Sequence, residues 1–220
     1  MKTIKSIFPA LLPLLLLLPG RLVVPSEAPT EQSWMMMLEE EKLARDVYTY
    51  FHTQWNKEIF ANIARSEGHH INEVKSIFDT KGYVLPAAFN EDQPGVFSVT
   101  AMQELYDKLT AQGTVSLEEA LKVGAWIEEK DIIDLKDMMS EETDAGVRQT
   151  LGNLLQASHN HLRAFTRQLG SGYQPQLMAQ ADFEAIVSQN KGNGKHKTEG
   201  CKGDCQGGNC KGGNGKACSH

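Results

Sequence analysis

Residues 57–81 read KEIFANIARSEGHHINEVKSIFDTK, and the spacing within this stretch decides the fold. Phe60, Ile63, Glu67, His70, Val74 and Ile77 follow one another at steps of three and four, which traces one stripe of a helix and not the alternation of a strand. Gly82 and then Pro86 end the helix. Four of the six stripe positions are apolar and face a core; the two in the middle are a carboxylate and an imidazole.

Polar groups on a core face need compensation, because burying such a pair without partners costs several kcal/mol. Glu67 and His70 stand three apart, so they project from adjacent turns of one face and can grip one ion between them. Carboxylate oxygen and neutral imidazole nitrogen are ligands for iron, manganese and zinc.

Outward from this stretch the same period continues. A first helix is expected over about Glu31–Trp55, with Met37, Leu38, Glu41, Ala44, Tyr48 and Phe51 on its stripe, joined to the second by a very short turn. A loop, Tyr83 to Ser98, carries Pro86, Pro94 and Gly95; a minor helix, Thr100–Gln112, follows and stops at Gly113. The third main helix begins after Ser116, placed to form a capping box over Leu117-Glu118-Glu119, and runs to about Met139. Its stripe is Leu121, Gly124, Glu128, Asp131, Leu135 and Met138, with Ile127 flanking. The fourth spans about Asp144–Leu169, with Leu151, Leu154, Ser158, His161, Phe165 and Leu169 inside. A short amphipathic piece is expected over Gln176–Gln189.

No Val/Ile/Thr-rich runs announce a sheet and no solenoid repeat is present, so the class is all-α. Two helix pairs with a longer crossover have the connectivity of a ferritin-like four-helix bundle rather than a simple up-and-down one. A single acid on a helix is usually solvated and a lone histidine is usually a core or surface residue. All four long helices, however, carry the anomaly near mid-length, where four rods bring it to one layer. Glu39, Glu40 and Glu129 read as a charged outer face, and His52, His69, His159 and His196 as exposed.

The ends differ from the middle. Met1 to Ala28 places Lys2 and Lys5 ahead of an apolar run, Ile7 to Pro19, with Ser26-Glu27-Ala28 as a cleavage site. This is the layout of a signal peptide and implies export to a periplasm or the extracellular space, an uncleaved amphipathic or lipid anchor being the rival. The run is too short for a comfortable span of about 20 residues. Lys191 to His220 holds nine of the nineteen glycines and all four cysteines, a composition that cannot bury apolar surface. With both ends set aside, the 22 basic and 28 acidic side chains of the chain leave 13 and 25 in residues 29–190. That balance excludes the basic face a nucleic-acid partner requires.

Four blocks carry a resemblance. Glu41 to Phe51, with Ala44 and Tyr48 following the acid, resembles the first metal-ligand helix of rubrerythrin-type ferritin-like proteins. Glu39–Tyr48 (EEEKLARDVY), Asn62–Glu67 (NIARSE), Glu128–Leu135 (EEKDIIDL) and His161–Phe165 (HLRAF) resemble the exported ferritin-like family catalogued as domain of unknown function 2202, over about Met37 to Leu169. The resemblance implies a ferritin-like fold and a di-iron carboxylate site, but no settled activity. Carried over, Glu41 is the ligand of the first helix, Glu67 with His70 the Glu-x-x-His of the second, and Glu128 the ligand of the third. The fourth helix departs: Ser158 stands where the acid of a second Glu-x-x-His is expected, ahead of His161, and Asp131 is the nearest candidate to replace it. Without it, a mononuclear site becomes the better reading.

Ferrous ions held by carboxylates and two histidines can reduce peroxide or dioxygen, so peroxidase or ferroxidase chemistry on a small oxidant is the expectation, with iron preferred over manganese or zinc. Tyr48 is the candidate catalytic side chain, as a hydrogen-bond donor to a ligand or an electron relay, beside the plain reading of a core tyrosine. A non-catalytic metal-binding or storage protein, a metal-free bundle whose polar core fixes register, and a homodimer stay open. Cys201, Cys205, Cys210 and Cys218 lack the pairs of a zinc ribbon; disulfides, soft-metal capture with His196 and His220, and an inert tail all remain.

Overall fold

A computed structural model describes residues 28–189; the expected leader and the cysteine-rich tail lie outside the described residues. Six α-helices follow in order: α1 (Glu31–Trp55), α2 (Glu58–Lys81), α3 (Thr100–Gly113), α4 (Leu117–Glu141), α5 (Ala145–Leu169) and α6 (Gln180–Ser188), with one 3-10 turn at Gly170–Gly172. The described residues contain no strand, and none of their helices is long and apolar enough to cross a membrane.

The boundaries have local causes. Thr30 caps α1 by accepting from the Ser33 N–H at 3.2 Å, Ser116 caps α4 through Glu119 N–H at 3.1 Å, and Asp144 caps α5 through Val147 N–H at 2.9 Å. The expected capping box is only half formed, because the Glu119 carboxylate turns to Gln112 and Lys122 instead of returning to the Ser116 N–H. Asn56 ends α1 in the left-handed conformation, φ 49°, and α2 starts two residues later, so the pair must fold back on itself.

α1 packs chiefly on α2 and α4 on α5, while contacts between α1 and α4 and between α2 and α5 close the ring. Tyr48 meets Gly124 whereas Glu40, earlier in α1, meets Lys130, later in α4, so these helices run antiparallel. α2 and α4 therefore run the same way, and the crossover between them must travel the length of the bundle. The chain is an all-α four-helix bundle with a long crossover. α3, part of that crossover, lies over α1 and α4, and α6 lies against α5.

Two apolar clusters fill the bundle, one around Phe51, Phe60, Leu121 and Phe165, the other around Trp34, Leu38, Val74, Leu135 and Leu151. The polar layer separates them. Gly124 is required where α4 meets α5, because a Cβ there would lie 2.5 Å from the Phe165 ring.

Two outer-face expectations are corrected. Glu39 is 1% exposed and Glu129 is 0% exposed. Glu39 accepts from the Ser98 N–H at 3.1 Å and from the Ser98 hydroxyl, which fastens the crossover. Glu129 accepts the N–H groups of Gln176, Leu177 and Met178 and the Tyr173 hydroxyl, so it holds a strap running along the bundle ahead of α6. Both carboxylates leave the four-helix core as the period requires, but other chain covers them. Because residues 173–178 form this strap, the helix expected over Gln176–Gln189 is confined to α6. Glu40, His52 and His159 are half-buried rather than exposed; His69 is exposed as expected, and His196 lies outside the described residues.

Candidate metal centre

Mid-bundle, the inward stripes of α1, α2, α4 and α5 deliver Glu41, Glu67 with His70, Glu128 and His161 to one layer; the carboxylates are each 2% exposed, His70 5% and His161 9%. The side chains form two trios, Glu41–Glu67–His70 and Glu67–Glu128–His161, in each of which one ligand atom from every residue lies within 4.8 Å of the other two. Glu67 belongs to both. Its Oε2 lies 2.6 Å from His70 Nδ1 and its Oε1 lies 2.9 Å from His161 Nδ1. Glu41 Oε2 reaches His70 Nδ1 at 3.2 Å, and Glu128 Oε2 stands 3.5 Å from His161 Nδ1. The two imidazole rings stack with centroids 5.6 Å apart.

Several of these atoms approach without bonding. Glu41 Oε1, Glu67 Oε1 and His161 Nδ1 are buried and have no hydrogen-bond partner, although the last two are neighbours, because their directions are misaligned. Burying such groups unpaired costs on the order of 1–3 kcal/mol each, so their shared orientation asks for an occupant. A divalent cation fits this donor set of carboxylate oxygens and imidazole nitrogens.

The electrostatics agree with that need. Burial favours the neutral form of every group here, yet Glu67 and the two imidazoles overcome it by pairing, whereas Glu41 and Glu128 do not. Burial alone would raise Glu67, but the charges of His161 and His70 hold it down at about 2. Burial likewise opposes the charge on His70, but Glu67 and then Glu41 push it up to about 12. Glu128 and Glu67 similarly raise His161 to about 10. Glu41 is raised by burial to about 7, and burial also raises Glu128. Protons on the imidazoles thus do what cations would do better, since one cation answers several carboxylates at once.

Tyr48 is fully buried and its hydroxyl donates to Glu128 Oε1 at 2.6 Å, which orients that carboxylate. Burial, then the Glu128 charge, raise its pKa well above the ordinary phenol value, so it stays a donor. Asp131 joins neither trio. Its carboxylate instead accepts from the Ser158 hydroxyl, whose other acceptor is Leu154 O of its own helix at 3.0 Å. Asp131 keeps part of its surface open, although burial and the charges of Glu41 and Glu128 push its carboxyl well above the ordinary range. It lies beside the centre, so the expectation that it replaces the acid missing from α5 is corrected: Glu67, shared by both trios, gives the second one its carboxylate alongside Glu128.

Sequence reasoning missed Ser66. Its hydroxyl meets His161 Nε2 at 3.1 Å, so that nitrogen is engaged and Nδ1 is left facing the carboxylates. The only signal was its place next to Glu67. Also missed was a second function of the EEEKLARDVY block. Lys42 pairs with Asp46 at 2.6 Å and donates to Gln93 O at 3.0 Å, while Asp46 accepts from the Gly95 N–H at 3.0 Å. One face of this block builds the centre and the opposite face ties down the crossover.

A cavity of about 20 Å³ meets the centre. Glu41, Glu67, Glu128 and Asp131 line it, neither imidazole does, and Met102 and Leu105 of α3 contribute to its wall.

The family model described as an uncharacterized protein domain, DUF2202, matches residues 31–190. The uncharacterized protein MJ0754 of Methanocaldococcus jannaschii is 41% identical over 164 residues, which is 73% of this chain and 88% of that protein. The crystal structure of the hypothetical protein MJ0754 from Methanococcus jannaschii superposes with a TM-score of 0.69 at 39% identity, covering 75% of this chain and 97% of the other. With a match across the whole bundle and a relative this similar, the chain belongs to the DUF2202 family.

Proposed function

We propose that this protein holds a carboxylate- and histidine-ligated pair of metal ions, preferentially iron, and uses it for redox chemistry on peroxide or dioxygen, after export directed by its N-terminal segment. The observation that carries the reading is the sharing of Glu67 between two buried trios in which Glu41 Oε1, Glu67 Oε1 and His161 Nδ1 lack partners. Glu41 and His70 would complete one position and Glu128 and His161 the other, with Asp131 in reserve beside them. Two ferrous ions so held supply two electrons, the number that reduces hydrogen peroxide to water when solvent adds two protons.

The side chains do the rest. Tyr48 holds Glu128 in place, and Ser66 keeps His161 Nδ1 turned inward. The apolar clusters on either side exclude bulk water, which strengthens every charge interaction in the layer. The cavity on the carboxylate side leaves one approach free.

The test is elemental analysis of the purified full chain, with near-ultraviolet absorption followed during aerobic iron loading. Wild-type protein is expected to take up iron and consume peroxide, and the double variant Glu67→Ala/His70→Ala to do neither. Unchanged metal content and peroxide consumption in that variant would sink the proposal. Metal uptake without turnover would leave a binding or storage protein, and no uptake a metal-free bundle.

A further inference from the structure

Resting on the metal-centre reading, the geometry points to the cavity under α3 as the entrance to the centre, one that admits oxidants of two or three heavy atoms and excludes branched alkyl hydroperoxides. Its floor is the carboxylate side of the layer. Among the floor groups, Glu41 and Glu67, each 2% exposed, carry the unpartnered oxygens Glu41 Oε1 and Glu67 Oε1. The imidazoles lie away from it, so an arriving molecule meets the carboxylates first.

The volume sets the size limit. A water needs roughly 10–15 Å³ of the same measure, and the cavity offers about 20 Å³. A dioxygen or hydrogen peroxide molecule fits that space, whereas a four-carbon branched group requires the wall to move. The walls are apolar, from Ala44 on α1, Trp126 and Ile127 on α4 and Met102 and Leu105 on α3, so dioxygen enters at little cost, and hydrogen peroxide gives up its hydration there and regains hydrogen bonds at the carboxylate floor. At the rim, Lys130 is paired with Glu40 at 2.6 Å, which leaves no free charge to draw in a larger anion.

α3 supplies part of the wall and carries no member of either trio. Leu105 is half-buried, so its size can be changed without touching a candidate ligand. This separates entrance from metal binding.

The experiment uses the iron-loaded full chain as wild type, Leu105→Ala and Leu105→Trp, in the ferrous state for single-turnover peroxide reduction, so that each pair of ions would supply the two electrons one peroxide takes, and in the ferric state for azide binding. Metal content is measured first and is expected to be the same in all three. Wild type should consume hydrogen peroxide at least about tenfold faster than tert-butyl hydroperoxide, the range of discrimination that one or two methylenes bring in a tight pocket. Leu105→Ala should shrink that ratio to about threefold or less, and Leu105→Trp should slow hydrogen peroxide and weaken azide binding, read optically, each by about tenfold. Equal rates with both peroxides in wild type, or a ratio and an azide affinity indifferent to residue 105, overturns the inference while the centre itself stands. If metal binds but neither peroxide reacts, the redox reading falls, and azide affinity in the three proteins decides the entrance alone. If wild type takes up no metal, both fall together.

Discussion

The two helix pairs contribute unequally to the centre. α1 and α2, joined through Asn56 and Lys57 only, contain the whole of one trio: Glu41, Glu67 and His70. α4 and α5 contribute only Glu128 and His161, with Ser158 three residues before His161, and their trio is incomplete without Glu67 from α2. One half of the centre is thus built within a hairpin, and the other comes into being only when the hairpins dock. Glu67 joins a local site to a tertiary one.

That contrast can be broken most severely at Glu67. Glu67→Gln should abolish both metal positions, whereas Glu128→Gln should weaken the docked position by more than the roughly 10–100-fold that loss of a supporting partner brings and leave the hairpin position filled. Elemental analysis of the two variants reads the difference, and equal losses would mean that the positions are not separable. Gly124→Ala comes next. The new methyl would stand 2.5 Å from a Phe165 ring that packs against Tyr48 and Phe60. A loss of about 1–3 kcal/mol is expected, seen as a lower Tm, with metal lost from the docked position before the hairpin position.

A pH series on the metal-free protein should sharpen the same comparison. His161 keeps its proton in the folded protein up to about 10, against 6.5 unperturbed, so its contribution is whole below pH 6.5 and gone above about 10. His70 behaves alike but holds on to about 12, and Glu41, raised to about 7 from 4.5, adds a loss in the same direction between those values. Stability by denaturant titration should therefore fall from pH 6 to pH 10 by several kcal/mol, since each unit over which a group keeps its proton only in the folded state is worth about 1.4 kcal/mol, the docked half loosening before the hairpin half. Metal loading should flatten that slope, because His161 Nδ1 and His70 Nδ1 then hold no proton. The smallest effect is expected from Ser66→Ala, which frees His161 Nε2. Affinity at the docked position should drop about tenfold, and the hairpin position should not change in calorimetric titration.

Much of the molecule was legible before any coordinates. The steps of three and four through Phe60, Glu67, His70 and Ile77 state both that α2 is a helix and that a carboxylate and an imidazole share its inner face. The same period brought Glu41, Glu128 and His161 to the layer where they are found. Periodicity gave the direction but not the burial of Glu39 and Glu129, which sit in the same acidic runs as Glu41 and Glu128. Each residue turns a helix by about 100°, so neighbours in a run face different surroundings. A period gives direction from the axis and says nothing about a crossover or a strap lying there. Asp131 and Ser158 share the limitation: both were correctly placed inside, yet their bond to each other depends on how α4 and α5 are rotated and was not visible in either stripe.

By itself, then, the order of residues determined the helices, their ends and which chemical groups face inward, because these follow from backbone hydrogen bonding, capping and the 3.6-residue turn, all local matters. The tertiary structure decided that Glu67 serves two trios, that Ser66 engages His161 and that α3 roofs the carboxylate side. Those outcomes depend on distances between helices far apart in the chain, which packing alone sets.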